Sequence, residues 1–160
     1  MREYRPVARV LVVEDEEAVR DYVCRVLTLH GHTVLVAHDG AQAVEQMNEH
    51  HFDLLVTDIV MPMMDGISLA LKVRATRPHV PIILMTGYAN ERQRAHNLSL
   101  LIEGLLSKPF TMDQLLSTVN KALKNARKRA KEDDDEAGES PVQSSSQDGM
   151  LSSASKSSSD

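Results

Sequence analysis

Three observations predict an α/β fold, a doubly wound parallel sheet with helices on both faces, over the first 124 of the chain's 160 residues. Short aliphatic runs recur five times along this stretch. Several of them are continuous rather than alternating, as expected of strands buried on both faces. Helix-period patterns lie between them, and strand alternating with helix is the pattern of a parallel sheet covered on both sides.

The strands are expected at Val10–Val13, Thr33–Val36, Leu54–Thr57 and Ile82–Met85, with a weaker one at Leu105–Leu106. The first helix gathers Val19, Tyr22, Val23, Val26 and Leu27 on one face by their i, i+3, i+4 spacing. The second opens at Asp39-Gly40 and turns Val44 and Met47 inward. Asp65 is placed to cap the third, which carries Ile67, Ala70, Leu71 and Val73, and Pro78 lies beyond its end. The fourth, around residues 91–98, is polar and poorly patterned. The fifth opens on Thr111-Met-Asp-Gln114, a capping-box arrangement, and runs on through Leu115, Leu116, Val119, Ala122 and Leu123.

Composition narrows the function. The chain is 42% hydrophobic but only 3% aromatic, with no tryptophan, which is too little ring surface to stack single-stranded bases. A net charge of -5 argues against bulk electrostatic binding to a phosphate backbone. The single cysteine, Cys24, excludes an intramolecular disulfide framework and suits a reducing compartment. No run approaches the roughly 18 apolar residues of a membrane span. Residues 1–6 lead into a strand pattern without a signal-peptide core, so the expected location is cytoplasmic.

Composition shifts near residue 125. Residues 127–131 are mostly basic, 132–136 are all acidic, and about half of the residues after 139 are serine. The folded domain is therefore expected over residues 8–124, and a disordered, charged and Ser-rich tail over 125–160. The first part is nearly neutral, with 13 basic and 15 acidic residues, and the tail holds the rest of the negative charge. The tail is too short and too polar for a helix-turn-helix output domain, so no DNA-binding domain is expected.

Doubly wound sheets bind ligands outside the carboxyl ends of their strands. The first strand ends in Glu14-Asp15, the third in Asp58, the fourth in Thr86-Gly87 and the fifth in Ser107-Lys108-Pro109. Three crowded carboxylates raise one another's pKa unless a cation intervenes. A hard divalent ion held by oxygens resolves the conflict, and Mg2+ fits best, because it accepts a few carboxylates and keeps its waters. With Lys108 and the Thr86 hydroxyl beside it, the pocket suits a phosphoryl group that a free carboxylate attacks in line. Rival phosphate-binding and hydrolytic motifs do not occur. The chain has no Gly-x-x-x-x-Gly-Lys loop, no Gly-x-Gly-x-x-Gly and no Gly-x-Ser-x-Gly. Asp58-Ile-Val60 also lacks the second aspartate of haloacid-dehalogenase-like phosphatases.

Val10-Leu-Val-Val-Glu-Asp-Glu-Glu17, Asp53-Leu-Leu-Val-Thr-Asp-Ile-Val-Met-Pro-Met-Met-Asp-Gly66, Ile83-Leu-Met-Thr-Gly87 and Ser107-Lys-Pro-Phe110 resemble, in order and spacing, the signature segments of response-regulator receiver domains. The resemblance implies a flavodoxin-like sheet of order 2-1-3-4-5 with five flanking helices. It also implies Asp58 as phosphoacceptor from a sensor histidine kinase or histidine phosphotransferase. Asp15 and Asp58 would bind Mg2+ with the Val60 backbone carbonyl, Glu14 assisting. Thr86 and Lys108 would contact the phosphoryl group, and the Lys108–Pro109 peptide would be cis. Such a module is not an enzyme beyond its own phosphorylation and dephosphorylation. Leu105 stands where receivers usually carry an aromatic switch residue, while Tyr88 brings a ring close to the site, placed to obstruct attacking water.

A narrower likeness lies in Met85-Thr-Gly-Tyr-Ala-Asn-Glu-Arg-Gln-Arg-Ala95 and Leu100-Leu-Ile-Glu-Gly-Leu-Leu-Ser-Lys-Pro-Phe110. These are similar to the CpdR-type stand-alone receivers of alphaproteobacteria, which would imply an adaptor for an ATP-dependent protease unfoldase. The alternative output is a phosphate shuttle or sink in a multistep relay. Met61, Met63 and Met64 are read as loop and core fillers rather than a soft-metal site. His30, His32, His50 and His51 are read as residues of helix ends and loops.

Overall fold

The computed structural model describes residues 7–138, so the Ser-rich segment and Met1–Pro6 lie outside the described residues. Five strands and five helices alternate: β1 (Arg9–Val13), α1 (Glu17–Leu29), β2 (Thr33–Ala37), α2 (Gly40–Glu49), β3 (Leu54–Asp58), α3 (Gly66–Thr76), β4 (Ile82–Thr86), α4 (Ala89–His96), β5 (Gly104–Ser107) and α5 (Met112–Gly138). All pairings are parallel, in the order β2-β1-β3-β4-β5. Order and element count match the expected doubly wound sheet.

Alternation along the strands divides the core in two. Leu11, Val13, Leu55, Ile82 and Leu84 face Ala43 and Met47 of α2, Leu69, Ala70 and Val73 of α3, and Ala95 of α4. Val10, Val12, Leu54, Val56, Ile83 and Met85 face Val23, Val26 and Leu27 of α1 and Leu115, Val119, Ala122 and Leu123 of α5. The three central strands β1, β3 and β4 are buried on both faces, which is why their sequences read as unbroken apolar runs.

The helix starts follow their capping residues. Asp39 accepts the Gln42 N–H at 2.8 Å, and Asp65 accepts the Ser68 N–H at 2.7 Å. Thr111 and Gln114 exchange side-chain-to-backbone bonds of 3.1 and 2.8 Å, the expected capping box.

Four expectations shift. Leu71 is 46% exposed and Leu69 takes the buried place, because the inward stripe of α3 runs through Gly66, Leu69, Ala70 and Val73. Tyr22 is exposed at the edge of the α1 stripe and lies against Phe110, with ring centroids 6.2 Å apart. The fourth helix starts two residues earlier than expected, at Ala89. The composition change at residue 125 is not a helix end. The first compact unit closes at Lys128, and α5 is helical to Gly138. Residues 112–137 hold neither Gly nor Pro and are rich in Lys, Arg and Ala, good helix formers even where nothing is buried. Polarity there signals exposure rather than absence of helix.

One buried histidine makes the fold sensitive to acid. His32 is 5% exposed, and its Nδ1 accepts the Ala8 N–H at 3.1 Å. Burial first, and the nearby His30 second, hold its pKa below the ordinary 6.5. The unfolded chain therefore takes up this proton before the folded one does. His32's contribution is complete above about pH 6.5 and is lost as pH falls from there towards the lower folded value, by at most about 1.4 kcal/mol per pH unit. Between pH 7.5 and 5.5 the urea midpoint of the parent should fall relative to that of His32→Gln. An unchanged difference between the two would rule out His32 as a source of the pH dependence.

Candidate functional site

The carboxyl ends of β1, β3, β4 and β5 meet at one edge of the sheet, because parallel strands all end on the same side. Glu14 follows β1 directly, and its backbone is held twice. Its N–H donates to the Ala37 carbonyl at the end of β2 (3.1 Å), and its carbonyl accepts from Arg20 Nη1 (2.9 Å). Arg20 itself is buried in α1, so the β1–α1 turn is anchored from both flanks.

Asp58 ends β3 and is 6% exposed. Its Oδ1 accepts the Ile59 N–H at 2.9 Å, while Oδ2 lies 3.2 Å from Lys108 Nζ. The same ammonium donates to Glu14 Oε1 at 2.6 Å. Lys108 thus bridges two buried carboxylates. Asp15 is exposed, yet one oxygen from each of Glu14, Asp15 and Asp58 can be chosen so that all three lie within 4.8 Å of one another.

The electrostatics follow from burial. Glu14 is fully buried, which pushes its pKa up to about 8; the Asp58 carboxylate adds to the rise and Lys108 opposes it. Burial alone would lower the pKa of Lys108, but its bond to Glu14 and the charges of Glu14 and Asp58 outweigh that and raise it. One lysine is too little positive charge for three carboxylates. Glu14 Oε2 is buried without a hydrogen-bond partner among the described residues. An orphaned carboxylate oxygen amid hard oxygen donors fits a divalent cation such as Mg2+.

Thr86 ends β4 one residue past Met85, the register partner of Asp58. It is 1% exposed, and its Oγ1 has no hydrogen-bond partner among the described residues. A buried, unpaired hydroxyl at such a site is a donor held ready for another group. Its carbonyl accepts the Lys108 N–H at 2.7 Å, tying β4 to the cis Lys108–Pro109 turn.

The loop from Ile59 to Asp65 returns tightly over Asp58. The Gly66 N–H donates to the Ile59 carbonyl at 2.7 Å, and a Cβ at Gly66 would stand 1.9 Å from the Asp58 carbonyl oxygen. Met63 takes φ +72°, the left-handed region that costs a residue with a side chain free energy, and it is 88% exposed. Val60 lies in this loop with its side chain half exposed.

The family model for the response regulator receiver domain matches residues 10–120. The chain belongs to that family.

As a receiver, it is 36% identical over 132 residues to the response regulator MprA of Mycobacterium ulcerans (strain Agy99), an alignment covering 82% of this chain and 55% of that protein. The chain thus spans about half the length of the curated relatives it matches. A CheY-like receiver domain protein of Methanospirillum hungatei JF-1 superposes with a TM-score of 0.72 at 27% identity, over 78% of this chain and 99% of that one. TrrA of Thermotoga maritima, solved in complex with Mg2+ and BeF, gives a TM-score of 0.65 at 30% identity, over 71% of this chain and 97% of that one.

Of the residues singled out in the receiver's sequence, Glu14, Asp15, Asp58 and Lys108 converge, and Thr86 stands at the adjoining strand end. Tyr88 is 69% exposed, in the loop between β4 and α4. Two further buried residues near the site, Arg20 and Glu91, are not among the candidate site residues of the sequence, although Glu91 lies within the Met85–Ala95 segment. Arg20 carries no legible signal. Glu91 carries one, an acid in the first turn of a helix, where carboxylates bind free N–H groups. None of the receiver's described helices is long and apolar enough to cross a membrane.

Proposed function

We propose that this receiver takes a phosphoryl group onto Asp58 from the phosphohistidine of a sensor histidine kinase or histidine phosphotransferase, and that its phosphorylation state decides which protein it binds. The observation that carries the reading is Lys108 Nζ between Asp58 Oδ2 and Glu14 Oε1, at 3.2 and 2.6 Å, in a pocket with more carboxylate than counter-charge. An Asp58 carboxylate oxygen attacks phosphorus as the P–N bond to the donor imidazole breaks. The imidazole nitrogen leaves with the electron pair and takes up a proton, and the product is an aspartyl phosphate. Lys108 pairs with a phosphoryl oxygen, and the Thr86 hydroxyl donates to another.

Asp15, Asp58 and the Val60 carbonyl would hold Mg2+, with Glu14 assisting. When bound, the ion neutralises charge on the phosphoryl oxygens. The protein catalyses only this acceptance and the later hydrolysis, in the cytoplasm with its donors. The output surface is the face of α4, β5 and α5. Its partner is either an ATP-dependent protease unfoldase, to which it delivers substrates, or a further histidine phosphotransferase in a relay. A pull-down with the phosphorylated and unphosphorylated forms separates the two.

Intact mass after incubation with Mg2+ and acetyl phosphate tests the chemistry. The parent should gain about 80 Da, one phosphoryl group, and Asp58→Asn should gain nothing. Should acetyl phosphate leave the parent unchanged, a phosphohistidine donor is tried. Failure there too removes the phosphorylation switch.

A further inference from the structure

Glu91 holds the segment that follows Thr86, and nothing in the phosphoryl-transfer reading uses it. It is 4% exposed, although α4 is otherwise polar and largely solvated. Its Oε2 accepts the N–H groups of Gly87 at 2.8 Å and Tyr88 at 3.4 Å. A buried carboxylate is costly unless hydrogen-bonded, so these two contacts secure its position as much as it secures theirs.

The contacts lie on the segment that joins Thr86 to α4. On one side the Thr86 carbonyl is fixed by the Lys108 N–H. Beyond it, Gly87 is exposed, and a Cβ there would meet no atom of the described residues within 4 Å, so their packing does not hold this residue in place. The Thr86 hydroxyl is buried and has no hydrogen-bond partner among the described residues. Leu105, on the neighbouring strand, offers no polar atom to it. Among the described residues, Glu91 is the side chain whose hydrogen bonds hold the backbone just after Thr86.

We infer that Glu91 is a positioning residue that latches the resting conformation of the Thr86–Tyr88 segment, and that closing Thr86 onto a phosphoryl group on Asp58 has to break or stretch the Glu91–Gly87 hydrogen bond. The inference rests on the proposed phosphoryl-acceptor function. A latch lowers the fraction of molecules in the binding-competent conformation, and the apparent affinity falls by the same factor. Removing it should tighten binding of a phosphoryl mimic. Damage to the site would weaken binding, so the sign separates the two. Gly87 and Tyr88 are exposed residues and their bonds to Glu91 are only partly buried, so water entering the space left by the carboxylate can take over their N–H groups.

The test is calorimetric titration of the full chain with beryllofluoride in the presence of Mg2+, for the parent, Glu91→Ala and Glu91→Gln. Glu91→Ala should bind at least about tenfold more tightly than the parent, and Glu91→Gln, which keeps a weaker neutral acceptor, should fall between them. The amide NMR signal of Gly87 should shift in ligand-free Glu91→Ala towards its position in the bound parent. Equal or weaker binding by Glu91→Ala overturns the latch. If that variant does not fold, Glu91→Gln decides alone: about threefold tighter supports the latch, and unchanged or weaker binding overturns it. A parent that binds no beryllofluoride and accepts no phosphate overturns the underlying function, and the latch with it.

Discussion

Lys108→Met should bind Mg2+ at least about tenfold more tightly than the parent, and should unfold at a lower temperature when no divalent ion is present. The ammonium lies 2.6 Å from Glu14 and 3.2 Å from Asp58, two of the three carboxylates that would receive the ion. Two unit charges 4 Å apart interact by about 4 kcal/mol at an effective dielectric of 20, and tenfold in affinity is only about 1.4 kcal/mol. The stated gain is thus a conservative fraction of the repulsion removed. Without the ion the variant keeps a fully buried Glu14 beside Asp58 and loses the ion-pair partner that both have among the described residues. Leaving buried polar groups unpaired costs about 1–3 kcal/mol, and added Mg2+ should recover it. Thermal midpoints with and without Mg2+, together with a calorimetric Mg2+ titration, check both halves. An unchanged Mg2+ affinity would mean that lysine and ion do not share these carboxylates.

Gly66→Ala is expected to have the largest effect of any single methyl addition near the site. The new Cβ would be 1.9 Å from the Asp58 carbonyl oxygen, 2.8 Å from its carbon and 2.9 Å from the Ile59 Cα. All three are backbone atoms, so no side chain can turn away, and the loop over Asp58 must rebuild. Overpacking costs about 1–3 kcal/mol even where side chains can adjust. A loss of about 3 kcal/mol, or roughly 10 °C in the thermal midpoint, is therefore expected. Phosphorylation by acetyl phosphate should fall sharply, because Asp58 is the residue displaced. Gly87→Ala is the control, since a Cβ there meets nothing within 4 Å. Equal midpoints for the two variants would show that the contact at Gly66 relaxes freely.

The strands are legible because burial on both faces leaves a sequence signal that depends on no partner. Val10–Val13, Leu54–Thr57 and Ile82–Met85 are apolar almost throughout, and each lies inside its observed strand. Helix starts are legible where a side chain caps its own backbone, as at Asp39, Asp65 and Thr111. Helix faces are less so. Leu69 and Leu71 are two residues apart on one helix, and their chemistry is the same, so only the packed sheet decides which is buried. The length of α5 exceeds what composition suggests, because a polar, charged run lacks the apolar stripe that marks a packed helix. Helix propensity along such a run does not require burial.

The sequence alone determined the alternation of strand and helix, and the residue types Glu14, Asp15, Asp58, Thr86 and Lys108 at the strand ends. Both are carried by local order along the chain, and parallel strands bring their carboxyl ends together whatever the details of packing. Only the tertiary structure decided that Lys108 spans Glu14 and Asp58, that Arg20 pins the Glu14 backbone, and that Glu91 holds Gly87. Lys108 and Glu14 are 94 positions apart, and no local pattern encodes a 2.6 Å contact over that separation. Burial decided the charge state in the same way. The side chain of Glu14 is an ordinary glutamate, and its pKa of about 8 comes from the water that the folded sheet excludes.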